Sequence, residues 1–166
     1  LPAGFYYKTF MWPKSFWFKI YEPFIRKAAG LGVASTNHDK ERYEHKYEYC
    51  DLLITGSGPS GLASAYAAAK NGARVILAED KSRFGGTLLT SDVNIGNQSG
   101  KEWADGIITE LKEMPNVTVK NRSQVFGYYD HNMLVMSERI SDHLPKTKKF
   151  HPKQRLWYIR AKEVLI

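Results

Sequence analysis

The stretch Cys50–Asp80, CDLLITGSGPSGLASAYAAAKNGARVILAED, constrains the fold more than any other part of the chain. LLIT is a short apolar β run, and it leads into G-x-G-x-x-G at Gly56, Gly58 and Gly61. LASAYAAAKNG is alanine-rich and closes at Asn71–Gly72, which reads as a helix with a glycine stop. ARVILAE is apolar and partly β-branched, as a strand buried on both faces should be. Together these pieces predict a βαβ unit at the heart of an α/β, Rossmann-like dinucleotide-binding domain.

Each glycine has a separate task in such a turn. The first lets the chain leave the strand sharply, the second lets the backbone approach a pyrophosphate, and the third lets the helix pack on the strand. Amides at the helix start then face the phosphates, aided by the helix dipole. Glu79 lies 21 residues beyond Gly58, at the end of the second strand. A carboxylate there accepts from ribose hydroxyls and repels a 2′-phosphate, which favours NAD or FAD over NADP. Asp80 reinforces that preference, while Lys81 and Arg83 soften it. Gly85 and Gly86, in RFGGTLL, make either an ordinary loop turn or a second turn able to bring amides near the cofactor. Val125 stands where a backbone edge could meet adenine, or is simply a core valine.

The remainder completes the domain. GKEWADGIITELKEM (100–114) carries Trp103, Ile107, Ile108 and Leu111 at helical spacing, stopped by Pro115 and Asn116. NVTVKN reads as a third strand. SQVFGYYD, HNMLVMSERI and RLWYIRAKEVLI read as three more, a β-meander crossing over the parallel sheet before the last strand runs back into it. Residues 33–49, VASTNHDKERYEHKYEY, read as an exposed polar connector. His38, Asp39, Glu44 and His45 lie in it, but nothing in their spacing fixes a metal geometry. Before the connector comes an aromatic run that includes Phe5, Tyr6, Tyr7, Phe10, Trp12, Phe16, Trp17 and Phe18. Its rings are expected to pack on a partner or on another part of a longer protein. A short helix is expected from Pro23 to about Gly30. The domain reading is an arm and connector over 1–49 and a dinucleotide-binding domain over 50–166, incomplete at its C-terminus. The absence of an initiating Met fits a piece of something longer.

Charge does not redirect this reading. The net charge is +7, but residues 51–138 carry 8 basic and 10 acidic side chains, so the motif sits in the least basic part. The excess lies around PKTKKFHPKQR (145–155), which reads as a solvated loop. It lacks a stacking-plus-basic module, so no nucleic-acid partner is expected. No run of 18 apolar residues occurs, and no membrane span is expected. A single cysteine, Cys50, rules out an internal disulfide and suits a cytoplasmic setting. It also lacks a C-x-x-C partner. Ser57 and Ser60 have no histidine–aspartate pattern beside them, and G-S-G-P-S-G is not a nucleophile elbow. No catalytic residue and no metal ligand is assigned to this chain.

GFYYKTFMWP (4–13), YEPFIRKAAGLG (21–32), the segment from Asp39 to Leu89, FGYYDHN (126–132) and RLWYIRAKEVLI (155–166) resemble the α subunit of heterotetrameric sarcosine oxidase. That resemblance implies oxidative demethylation of sarcosine to glycine, with oxygen and tetrahydrofolate as acceptors. It further implies NAD at this glycine turn, surrounded by Gly56, Gly58, Pro59, Ser60, Gly61, Glu79, Gly86 and Thr87, with FAD and covalent FMN mainly in the β subunit and at its interface with α. The partners implied are the β, γ and δ subunits. The family pattern is G-G-G-P-A-G, and Ser57 and Ser60 depart from it here. Two other readings stand beside this one. One is an FAD-binding subunit of a related amine or opine oxidase; the other is a structural subunit whose motif is empty.

Overall fold

The computed structural model describes residues 13–145 and 150–166. Phe5, Tyr6, Tyr7, Phe10 and Trp12, and part of the basic run, lie outside the described residues. The chain divides into two units, Leu1–Lys40 and Glu41–Ile166. In the first, a π-helical turn at Trp17–Tyr21 runs into helix α1, Glu22–Ala28. Pro23 occupies its first turn, as its fixed φ and missing N–H favour. Glu22 and Arg26 pair one turn apart. Phe18 and Phe24 are exposed.

The second unit is built on a six-stranded sheet ordered β5-β2-β1-β8-β7-β6. Strand β1 is Tyr43–Thr55, β2 Val75–Ala78, β5 Val117–Lys120, β6 Ser123–Tyr129, β7 Met133–Arg139 and β8 Gln154–Leu165. β5, β2, β1 and β8 run parallel; β7 and β6 continue the sheet antiparallel. Helices α2 (Pro59–Lys70) and α3 (Gly100–Glu113) follow β1 and a small β3–β4 hairpin, Asn94–Ile95 with Gln98–Ser99. Ser99 caps α3 with a full capping box, its hydroxyl accepting from the Glu102 amide while Glu102 accepts from the Ser99 amide. The α/β fold read from the sequence is thus the fold observed.

Alternation along β2 divides the core. Val75 and Leu77 face the helices, packing with Ile54, Leu62, Ala65, Ile108 and Leu111. Ile76 and Ala78 face the other way, onto Leu53 and the meander's Leu134, Met136 and Ile159. The meander therefore covers the sheet face that the helices leave bare, as the sequence reading expected. The register of β1 on β8 is constant along its length, and the register shift in the sheet lies in β6, between Val125 and Gly127. The amides of Asp51 and Leu52 both donate to the Arg74 carbonyl, at 2.9 and 3.1 Å, and Cys50 and Leu53 reach the same core.

The connector is a correction. Residues 43–49 are not loop but the first half of β1, paired in register with Gln154–Arg160 of β8. The alternation of Tyr43, His45, Tyr47 and Tyr49 with Glu44, Lys46 and Glu48 is a period-two pattern hidden by its charges. Its partner strand is more than a hundred residues away, so no local signal announces the pairing. His45 and Tyr47 stack on Tyr158 at 5.9 and 5.1 Å, and Arg155 Nε meets Glu44 Oε2 at 2.8 Å. The unit accordingly begins at Glu41 rather than Cys50. Among the described residues, no group of three or more His, Cys, Asp or Glu is placed to hold a metal.

On the meander side, Glu138 Oε2 accepts from Trp157 Nε1 at 2.6 Å and Arg155 Nη1 at 3.2 Å. Lys120 Nζ stands 3.8 Å from the same oxygen and 4.0 Å over the Trp157 ring. Burial pushes the Lys120 ammonium below the usual lysine range, and Glu138 opposes that.

Candidate functional site

The site forms where β1 ends and α2 begins. Gly58 is the N-cap of α2 and Pro59 its first residue, so the amides of Ser60 and Gly61 fall in the turn that has no intrahelical acceptors. With the helix dipole, they form a small electropositive cradle. Gly61 permits this close fit: a Cβ there would lie 2.1 Å from the Gly56 carbonyl oxygen. Above the turn, space is open, since a Cβ on Gly56 or Gly58 meets nothing within 4 Å.

A second glycine turn abuts the first. Gly86 has φ +53°, and a Cβ on it would lie 2.9 Å from the Gly58 Cα. Gly86–Leu89 is a short 3-10 turn that includes Thr87, which is exposed and whose carbonyl accepts from Thr90 and Ser91. Ser57 joins the two turns. It is fully buried, its carbonyl accepting the Gly85 amide at 3.0 Å and its Oγ accepting the same amide at 3.1 Å.

The Ser57 hydroxyl donates in turn to Glu79. Glu79 Oε2 accepts from Ser57 Oγ at 2.5 Å and from the Ser57 amide at 2.9 Å. Its Oε1 accepts from the Lys81 amide at 3.0 Å. At 6% exposure the Glu79 carboxylate is turned inward, clasping the turn. Burying a carboxylate is costly unless its lone pairs are satisfied, and three donors do so here.

Beside the clasp lies a hollow of about 220 Å³ lined by Thr55, Gly56, Ala78, Asp80, Ser123, Gln124 and Val125. A smaller one of about 110 Å³, including Gly58, Ser60, Gly61 and Leu165 in its lining, opens on the helix side of the same turn. Asp80 is exposed, with Oδ2 2.7 Å from Lys81 Nζ. Lys81 first, and then the hydrogen bond with Glu79, holds the Asp80 carboxyl below the usual carboxylate range. Complete ligand pockets measure about 300–1,000 Å³, so this corner suits part of a dinucleotide rather than all of one.

The structure brings Gly56, Gly58, Pro59, Ser60, Gly61, Gly85 and Gly86 together, and places Asp80 and Val125 at the neighbouring hollow. Thr87 and Lys81 sit outside the linings of the two hollows. Thr55, Ala78, Ser123 and Gln124 were not singled out from the sequence; their signal is position alone, at or beside strand ends. The role of Ser57 had a signal, its departure from glycine. Cys50 is buried, and desolvation pushes its thiol up to about 12, far from a nucleophile's range.

Residues 51–143 match the family described as FAD dependent oxidoreductase. The whole chain is 46% identical to the sarcosine oxidase subunit alpha of Rhizobium meliloti (strain 1021), spanning 17% of it. It is 36% identical over 140 residues to the same-named subunit of Corynebacterium sp. (strain U-96), covering 83% of this chain and 14% of that one. L-proline dehydrogenase from P. horikoshii superposes with a TM-score of 0.55 over 80% of this chain and 24% of that one. At 18% identity that is a likeness of fold alone.

Proposed function

The chain belongs to the FAD-dependent oxidoreductase family, and from that premise we propose that it holds the ADP half of a dinucleotide within a sarcosine-oxidase-like α subunit. The observation that carries this reading is the pair of abutting glycine turns, open above Gly58 and continuous with the hollow at Asp80 and Val125. The amides of Ser60 and Gly61 would meet the pyrophosphate, with Gly56, Gly58 and Pro59 shaping its approach and Gly85, Gly86 and Thr87 bounding it. Adenosine would enter the hollow. The acid pair Glu79–Asp80, with Lys81 beside it, closes the ribose end against a 2′-phosphate.

FAD is the occupant favoured by the family match; when bound, a flavin supplies hydride acceptance. NAD is the second reading, favoured by the full-length likeness to an α subunit whose family resemblance implies NAD at this turn. For the whole protein the proposed reaction is oxidative demethylation of sarcosine to glycine, with oxygen and tetrahydrofolate as acceptors. FAD and covalent FMN would be shared with a β subunit, and γ and δ subunits would complete a heterotetramer. This chain's part is to bind, orient and assemble, and no catalytic residue is assigned to it. A cytoplasmic setting is proposed on the single unpaired Cys50. Among the described residues, no helix is long and apolar enough to cross a membrane.

The test uses Gly58→Val. Gly58 has φ −66° and open space around its Cβ, so the fold accepts a side chain that fills the phosphate approach. The intact protein and the variant are denatured, and the released nucleotides are identified by absorbance and mass. Loss of FAD from the variant supports the first reading and loss of NAD the second. Identical nucleotide content in the two proteins would leave the motif without a ligand.

A further inference from the structure

The outward face of β1, β8 and β7 carries aromatic side chains that the fold leaves uncovered. On β1, Tyr43, Tyr47 and Tyr49 are exposed, the last two at 77% and 70%. Register sets Tyr158 and Arg160 of β8 and Met133 of β7 on the same face. Tyr47 and His45 stack on Tyr158, so the rings are held in place before anything binds. Resting on the α-subunit reading above, we propose that this face docks an acidic segment of another subunit. An apolar side chain of that segment fills a hollow beside Tyr47 and Tyr49, and a neighbouring carboxylate pairs with Arg160.

Alternation along these strands separates the chemistry. Cys50, Leu134, Met136 and Ile159 point to the core, and Glu44, Glu48 and Glu138 lie on their side of the sheet. Glu44 and Glu138 both meet Arg155 there, and the charge of Glu48 acts on Lys120. Along residues 43–49, 133–137 and 156–160 the outward face therefore holds no carboxylate side chain, and Arg160 gives it positive charge. The hollow measures about 160 Å³ and is lined by Tyr47, Glu48, Tyr49, Met133, Tyr158 and Arg160. Glu48 borders it, but alternation turns its carboxylate to the other face. Arg160 Nη1 donates to the carbonyls of Asp130 and His131, at 3.3 and 3.0 Å. That fixes the guanidinium at the rim and leaves its other nitrogens as donors.

That composition selects the occupant. Tyrosine, methionine and arginine are enriched where separately folded proteins meet. The contact between β2 and the meander inside this unit is different in kind, made of Ile76, Ala78, Leu134, Met136 and Ile159 with no hydroxyl and no charge. A second copy would bring cation toward cation, since this face offers Arg160 no acid. An acidic partner is instead drawn to it, and the prebuilt stack of rings lowers the ordering cost of binding.

The experiment uses the intact multi-subunit protein, oxidised by hydroxyl radicals and read by peptide mass spectrometry. The same measurement is made on the full-length chain bearing this face after its partners are dissociated in high salt. Tyr47 and Tyr49 should be protected in the assembly and oxidised severalfold more in the separated chain. Tyr49→Asp should weaken reassociation by ~10-fold or more, with the melting temperature of the separated chain unchanged. Arg160→Gln should weaken it too and reduce its salt dependence. Full oxidation of both tyrosines in the assembly overturns the proposal, as does Tyr49→Asp reassociating like the unmodified chain. Protection that persists in the separated chain at all concentrations gives the face to the rest of that chain, and protection that grows with concentration gives it to a second copy; either overturns the partner assignment. Purification with no other subunit would overturn the α-subunit reading, and this docking face with it.

Discussion

Ser57 Oγ lies 2.5 Å from Glu79 Oε2, and the same hydroxyl oxygen takes the Gly85 amide at 3.1 Å. One side chain thus connects the end of β2, the turn before α2 and the second glycine turn. Ser57→Ala should remove a donor from a buried carboxylate and lower stability by about 1–3 kcal/mol. Urea unfolding monitored by circular dichroism measures this. Cysteine at 57, a poorer donor, should fall between serine and alanine.

The helix–strand contact at Gly61 has no slack. A methyl group would stand 2.1 Å from the Gly56 carbonyl oxygen, which is backbone and cannot swing aside. Gly61→Ala should therefore destabilise by roughly 2–4 kcal/mol and shift the turn that presents the helix amides. The checks are a melting curve and nucleotide content after gel filtration. The neighbouring Gly58→Val should lose nucleotide while the nucleotide-free protein melts nearly as the unmodified one does, because its side chain would meet a ligand rather than protein atoms.

Cys50 gives a pH dependence of definite sign. Its thiol has an ordinary value of 9.0 and is pushed up to about 12 in the fold by desolvation. Between those values the unfolded chain releases a proton that the folded chain keeps, so the cysteine's stabilising contribution is present below 9.0 and lost as pH rises toward about 12. Cys50→Ala should flatten that part of the stability profile. Iodoacetamide at mildly alkaline pH should leave native Cys50 unmodified and alkylate it fully in urea, as read by mass spectrometry.

Glu138 gathers Trp157, Arg155 and the poorly exposed Lys120. Glu138→Gln keeps the shape and removes the charge that opposes the burial of Lys120. A loss of about 2–3 kcal/mol is expected, since one partner of a buried pair is left uncompensated. Glu138→Gln paired with Lys120→Met should recover part of it, and a double-mutant cycle reads the coupling.

Much of the fold is legible in the residues themselves. The glycine spacing, the alanine-rich helix and the apolar β2 are local signals, and each element formed where its pattern lies. The first half of β1 was not legible, because Tyr43–Tyr49 owes its strand to β8 and to the stacking of Tyr47 on Tyr158. The register shift in β6, between Val125 and Gly127, was equally silent, because side-chain type does not record backbone pairing. At the site, the glycines could be read from spacing, but the inward turn of Glu79 could not. Its direction depends on Ser57, 22 residues earlier, whose hydroxyl is the only sequence mark of the clasp.

The central claim is that an ADP moiety lies across Gly58 with its adenosine in the hollow between Thr55, Asp80 and Val125. A crystal structure of the intact protein with its bound nucleotide tests it most directly. The account predicts pyrophosphate over Gly58 and adenosine in the hollow lined by Asp80 and Val125. Nucleotide bound elsewhere, with only solvent in this hollow, would contradict it.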